Sequence, residues 1–425
     1  MNPFKHPRLV KRYWQMLGPG LVTGAADDDP SGVATYSQTG ALYGLQLIWL
    51  SLYTLPLTIV IQEMCARIGM VSGRGLAENI RREYSKPVLY VLVALLLGAN
   101  TFNIGADLGA MAASVQLLSP AFNFALAVLG FAIFSTALQI FTPYRLYARY
   151  LKYLALVLLS YVATGLIVGL DWGEVLARTI VPSMEFSKNS IYIICAVLGT
   201  TISPYLFFWQ TSQEVEEEIK DGHVTLRARE GATDTDIRDM RIDVWSGMFI
   251  SNIVMFFIIA VCAATLFAHG VTGINTAAEA AAALKPLAGD WASVLFAFGI
   301  IGTGLLSIPV FAGANGYALA ETFHWHEGLY KDLRSALGFY VTIAASMVVA
   351  LGLNFVGIDP IKALIYSAVA NGIVSPIILF FIVRLSSDPK IMGHRVNGRA
   401  VNIIGWFTVV VMAVAGIATI ISLFV

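Results

Sequence analysis

Gly24-Ala25-Ala26-Asp27-Asp28-Asp29-Pro30-Ser31-Gly32 is the stretch on which the fold turns. It lies inside an apolar segment running from about Leu17 to Trp49. A carboxylate at bilayer depth is costly, so one found there usually faces a cavity or a partner. Proline breaks the helix ladder, and glycine loosens it further. The stretch therefore predicts two half-helices that meet near mid-membrane, with acidic oxygens and free backbone groups between them. Irregular backbone survives at that depth only when buried in protein or lining a wet cavity. Asp29 followed by Pro30 also reads as an ordinary helix cap and first turn. Capping accounts for one aspartate but not for three in a row.

Composition places those aspartates in a membrane protein. Of the 425 residues, 57% are hydrophobic and 13% charged, where soluble domains carry about 25% charged residues. Mean hydropathy is +0.73. The formal net charge is zero, which suggests no nucleic-acid partner. Cys65, Cys195 and Cys262 lie far apart in apolar segments and form neither a disulfide framework nor a thiolate site. No nucleophile–base motif or phosphate-binding loop appears, so enzyme chemistry has no support, and no cofactor is expected.

Segments long enough to span roughly 30 Å of hydrocarbon fall near 16–45, 46–69, 87–118, 121–142, 150–170, 190–213, 243–268, 289–320, 336–354, 360–384 and 401–425. That makes eleven, preceded by a basic N-terminal segment, 1–15. Lys and Arg collect on the cytoplasmic side, and they alternate between loops: Lys5 to Arg12, Arg67 to Lys86, Arg145 to Lys152, Lys220 to Arg241, Lys331 with Arg334, and Arg384 to Arg399 are the rich ones. The alternation predicts a cytoplasmic N-terminus, an extracytoplasmic C-terminus and residence in the inner or plasma membrane. The acidic loop 214–243 reads as a solvated connection with helix extension, or as a cation sensor.

The sixth span carries a second cluster of this kind, Gly199-Thr200-Thr201-Ile202-Ser203-Pro204. Pro30 and Pro204 take matching places in two five-span halves, 16–170 and 190–384, with 401–425 left over. Interrupted helices at corresponding positions point to a transporter site built from an inverted repeat.

The donors at the two breaks are oxygens: Asp27, Asp28 and Asp29, the hydroxyls of Ser31, Thr200, Thr201 and Ser203, and backbone carbonyls. Asn371 in span ten adds an amide, as a ligand or as a helix–helix hydrogen bond. All six histidines fall in loops or at span ends, and no sulfur accompanies Ser203-Pro204. Carboxylate, carbonyl and water suit Mg²⁺, Ca²⁺ and Mn²⁺. Mg²⁺ keeps much of its water, and the small residues Ala26, Ser31, Gly32 and Ser203 leave room for it. The chemistry points to a hard, partly hydrated divalent cation.

Gly18-Pro-Gly-Leu-Val-Thr-Gly24 leading into Asp29-Pro-Ser-Gly-Val-Ala-Thr35 resembles the first span of the NRAMP divalent-metal transporters. The resemblance implies an all-α, LeuT-like 5+5 inverted repeat of eleven helices with helices 1 and 6 broken, importing Mn²⁺ or Fe²⁺, usually with protons. Asp29 and Pro30 match the family's metal-binding Asp and its Pro. The family's Asn falls at Gly32 and its span-six Met at Ser203. Its two span-six histidines fall at Tyr205 and Gln210, and its acidic proton-path positions in span three at Asn103 and Ala106. Asp107 is one position off and is read as facing elsewhere. These departures resemble the NRAMP-related magnesium transporters. By that resemblance Asp29 coordinates metal, Thr200 supplies a carbonyl, Ser203 replaces the sulfur and Ala26 offers a carbonyl. Asp28 and Asp27 set the field or touch an outer water shell.

The reading is thus a monomeric, lipid-embedded carrier taking Mg²⁺ and Mn²⁺ by alternating access, without tight proton coupling. The alternatives are a proton-coupled Mn²⁺/Fe²⁺ symporter, a Na⁺-coupled carrier of organic solutes on the same fold, and a channel or sensor.

Overall fold

A computed structural model describes residues 13, 16–142, 159–185, 187–271 and 273–424. Every regular element among them is a helix. Those that build the bundle are α1 (Pro19–Asp27), α2 (Pro30–Tyr43), α3 (Trp49–Ser72), α4 (Leu76–Glu83), α5 (Lys86–Leu118), α6 (Phe124–Phe141), α7 (Leu159–Ile167), α8 (Trp172–Ile180), α9 (Lys188–Thr201), α10 (Pro204–Lys220), α11 (Asp234–Thr265), α12 (Ala292–Phe323), α13 (Leu337–Leu353), α14 (Pro360–Ser386) and α15 (Arg399–Phe424).

Among the described residues, eight helical stretches are long and apolar enough to cross a bilayer, α9 with α10 counting as one. The pair α1–α2 and the shorter α13 add to them. Together they account for every expected span but the fifth. Of the expected 150–170 segment, residues 150–158 lie outside the described ones, as do the N-terminal basic residues Lys5 to Arg12 and Arg145, Arg149 and Lys152. The loop expected at 214–243 is shorter than its composition suggested: α10 runs on to Lys220 and α11 begins at Asp234. Its acidic run is partly built into the bundle, since Glu216 Oε1 accepts from Tyr317 Oη at 2.5 Å and from the Leu329 N–H at 2.8 Å.

Small residues set how closely the helices pack, as expected where lipid supplies no hydrophobic drive between helices. A Cβ on Gly24 would stand 2.3 Å from the Gly247 carbonyl carbon, so α1 lies with its backbone against α11. A Cβ on Gly199 would stand 2.1 Å from the Ala368 carbonyl oxygen, which docks α9 on α14 in the same way. In α15 the buried residues are Gly405, Thr408, Met412, Gly416 and Thr419, a single stripe at helical spacing. Its other faces expose Ile403, Phe407, Val410 and Val414, as a lipid-facing helix does.

Candidate metal site

Neither broken helix runs through its proline. α1 ends at Asp27, Asp28 leaves helical geometry (φ −87°, ψ 49°), and Asp29 is extended (φ −66°, ψ 172°) before α2 starts at Pro30. α9 ends at Thr201, Ile202 turns out of the helix, and Ser203 is extended before α10 starts at Pro204. Pro30 and Pro204 each occupy a first helical position, where the missing N–H costs nothing.

Asp29 caps α2: its Oδ1 accepts from the Gly32 N–H at 2.6 Å. Gly32 sits where the breaks meet. A Cβ there would lie 3.1 Å from the Asp27 carbonyl oxygen, 3.3 Å from Asp29 Oδ1 and 3.3 Å from Thr200 Oγ1. Three oxygens from both broken helices thus surround a point that any larger side chain would fill. Thr200 faces this point through its hydroxyl, whereas the sequence reading used its carbonyl. That carbonyl already accepts from Ser203 Oγ at 2.8 Å, and Ser203 Oγ also lies 2.6 Å from the Gly199 carbonyl. The Ala26 carbonyl likewise has a partner, Tyr205 Oη at 3.0 Å. Tyr205 therefore ties the second break to the first.

Asp27 and Asp28 turn the other way, toward α11. Ser251 Oγ lies 2.7 Å from Asp27 Oδ2 and 3.3 Å from Asp28 Oδ1. Asp27 Oδ1 is buried with no hydrogen-bond partner. The three aspartates are at most 2% exposed, and among the described residues no Lys, Arg or His pairs with any of them. Burying unpaired carboxylates is expensive unless a proton or a cation neutralises them. Among the described residues no three carboxylate, imidazole or thiol side chains converge as a ready metal cage.

Ser31 is engaged with α14, its Oγ donating to the Leu364 carbonyl at 2.7 Å and lying 3.2 Å from Ser367 Oγ. Two turns further along the same helix, Ser375 Oγ donates to the Ile202 carbonyl at 2.5 Å. Asn371 sits midway at four-residue spacing, on the face that runs from one break to the other. It is buried, and its Oδ1 has no partner.

The positions read as former proton-path sites separate. Gln210 joins two half-helices: its Oε1 accepts from Thr23 Oγ1 at 2.5 Å and its Nε2 donates to Glu214 Oε1 at 2.8 Å. Ala106 and Asn103 are buried in α5, and both amide atoms of Asn103 lack partners. Asp107 does not face elsewhere. It stands one helical turn from Asn103 in the same helix and so shares its face. Ser307 Oγ of α12 donates to its Oδ2 at 2.7 Å, leaving Oδ1 buried and unpartnered. A lone carboxylate in a 33-residue apolar helix was the signal for it. Ser251 and Ser307 carried no such signal, since single serines are common in membrane helices.

Comparison with known proteins agrees with this architecture. The model of the family described as "Natural resistance-associated macrophage protein-like" (Nramp) matches residues 20–422. A curated relative, the divalent metal cation transporter MntH of Klebsiella pneumoniae, is 28% identical over 410 residues, covering 93% of this chain and 91% of its own. Among solved structures, the Eremococcus coleocola manganese transporter superposes with a TM-score of 0.71 at 19% identity, over 96% of this chain and 87% of that one. A nucleobase–cation symport-1 family transporter in a closed conformation gives 0.57 at 14% identity, over 95% of this chain and 91% of that one. These likenesses give the chain the LeuT-like fold with helices 1 and 6 broken. With the family model spanning nearly its whole length, this multi-pass membrane chain belongs to the Nramp family.

Proposed function

We propose that the chain imports Mg²⁺ and Mn²⁺ by alternating access between halves 16–170 and 190–384, with its N-terminus in the cytoplasm. The observation that carries this reading is a set of buried carboxylates at a helix break with no cationic partner among the described residues. Around them stand hydroxyls, carbonyls and the free amide oxygen of Asn371. Such donors suit hard cations, and sulfur is absent from the second break. The engaged carbonyls of Ala26 and Thr200 favour an ion that keeps part of its water shell over a stripped one. Asp29 and Thr200 Oγ1 meet the ion, Asn371 approaches from α14, and Asp27 and Asp28 act through the field and bound water. The protein is a transporter, not an enzyme, and works as a monomer in the cell membrane. Three aspartates repel a substrate carboxylate, which sets aside an amino-acid carrier.

The test is Mn²⁺ and Mg²⁺ uptake into liposomes with a pH reporter inside. Saturable uptake of both ions, mutual competition and no metal-driven acidification are expected. Uptake of Mn²⁺ that ignores excess Mg²⁺ would remove the magnesium assignment.

A second reading, a proton-coupled Mn²⁺ symporter, is favoured by one observation. Asp107, buried with its Oδ1 unpartnered, is an acid able to carry a proton. Acidification of the lumen during Mn²⁺ entry, lost in Asp107→Asn, would establish it.

A further inference from the structure

Away from the breaks, at the end of the bundle that carries α4 and the turn before α15, lies a cavity of about 440 Å³. Its size falls in the range of roughly 300–1,000 Å³ typical of small-molecule sites. Four permanent cations, Arg74, Arg82, Lys390 and Arg395, line it together with His394, against two carboxylates, Glu83 and Glu230. Arg74 is committed, holding Glu230 at 3.1 Å and Glu78 at 3.3 Å. Arg395 is half committed: its Nη1 donates to Asp234 at 2.6 Å and its Nη2 to the Ala232 carbonyl at 3.1 Å. Its Nε is buried without a partner. Arg82 and Lys390 are exposed and have no ion-pair partner among the described residues.

The cavity's surroundings place it at the polar–apolar boundary of the bilayer. A second cavity of about 350 Å³ shares Glu83 and Pro389 with it and opens onto Trp406. Interfacial tryptophans mark headgroup depth. The lipid-facing stripe of α15 begins in the same turn, at Ile403 and Phe407. Basic pockets between helix ends at this depth suit phosphate-bearing headgroups.

We infer that this cavity binds a phosphoryl anion, with Arg82, Lys390 and the free Nε of Arg395 as its donors. The anion comes either from the headgroup of an acidic lipid or from a soluble phosphate compound. The two sources are separated with full-length protein in micelles of an uncharged maltoside detergent, which carries no phosphate. Phosphatidylglycerol binding is read by native mass spectrometry and pyrophosphate binding by calorimetry. Arg82→Gln/Lys390→Gln should weaken at least one probe by about tenfold or more. Arg227→Gln/Arg238→Gln, which removes two exposed cations outside the cavity, should leave both unchanged. Lys390→Glu alone should reproduce the loss should the double variant prove unstable. Loss of phosphatidylglycerol alone identifies a lipid headgroup, and loss of pyrophosphate alone identifies a soluble ligand. No binding by the wild type, equal binding by the cavity variant, or an equal loss in the control variant would each overturn the inference.

Discussion

The two breaks differ in what satisfies them. At the second, the chain closes its own account: Ser203 Oγ serves the Gly199 and Thr200 carbonyls, and Ser375 Oγ serves the Ile202 carbonyl. At the first, three carboxylates are buried, Asp27 Oδ1 has no partner, and no basic residue answers them among the described residues. The contrast extends to the helix starts. α9 is capped locally, Ser187 and Ser190 forming a capping box. α1 has no local side-chain cap. Its leading N–H groups are taken by Asp243 of α11, with Gly18 at 2.8 Å, Gly20 at 2.6 Å and Leu21 at 3.0 Å. An interrupted helix therefore needs no ligand in itself. The broken helix that carries charge is the one left open, and it is also the one anchored from outside.

The sharpest way to break the contrast is to remove charge while keeping the cap. Asparagine caps a helix as well as aspartate does, so Asp29→Asn should preserve the bond to Gly32 and the fold. Metal uptake in liposomes should still fall by more than roughly a hundredfold, equivalent to about 3 kcal/mol. Ser203→Ala should cost only a few-fold. Equal losses in the two variants would remove the contrast between the breaks.

The anchoring half of the contrast is tested by Asp243→Ala. Three N–H groups at the start of α1 would lose a charged acceptor in a tightly packed site. A destabilisation of about 3 kcal/mol is expected, read as a lower melting temperature in detergent. A fully stable variant would show that the Gly20–Gly24 contact with Gly247 holds α1 by itself.

How much of this was legible in the chain depended on whether a residue was unusual for its surroundings. Charges in apolar sequence gave away the first break, and the proline–small-polar cluster gave away the second. Proline alone would have misled: Pro56, Pro309 and Pro376 all lie inside continuous helices. Asp107 was visible as a residue, but its direction depends on how α5 packs, which a one-position register judgement cannot supply. Which oxygens at the breaks are already occupied was not legible either. Tyr205 engages the Ala26 carbonyl across a folded contact that no local pattern encodes, whereas the Ser203 bond to the Thr200 carbonyl is a three-residue back-bond that the sequence permits without dictating.

Chemistry, rather than charge, separates the breaks in Ser203→Cys. The second break would gain a soft donor with little change in volume. Uptake should shift toward Cd²⁺ over Mg²⁺ by about tenfold, because thiolates favour soft metals. An unchanged Cd²⁺/Mg²⁺ ratio would place Ser203 outside the coordination sphere and leave Thr200 Oγ1 as the second break's direct donor.

The smallest expected effect is at the local cap. Ser187→Ala removes the acceptor for the Ser190 N–H and opens the capping box at the start of α9. Loss of such a cap costs about 1 kcal/mol, so the melting temperature should drop by less than in Asp243→Ala, with metal uptake retained. The site lies at the far end of α9, and the Gly199 contact with α14 holds that end independently of the cap. The two helix starts then differ in kind: one cap trims stability locally, and the other fixes where a charged half-helix sits. If Ser187→Ala instead impaired uptake as severely as it lowered stability, α9 would be coupled to the site along its length, and the second break could no longer be treated as independent of the start of its helix.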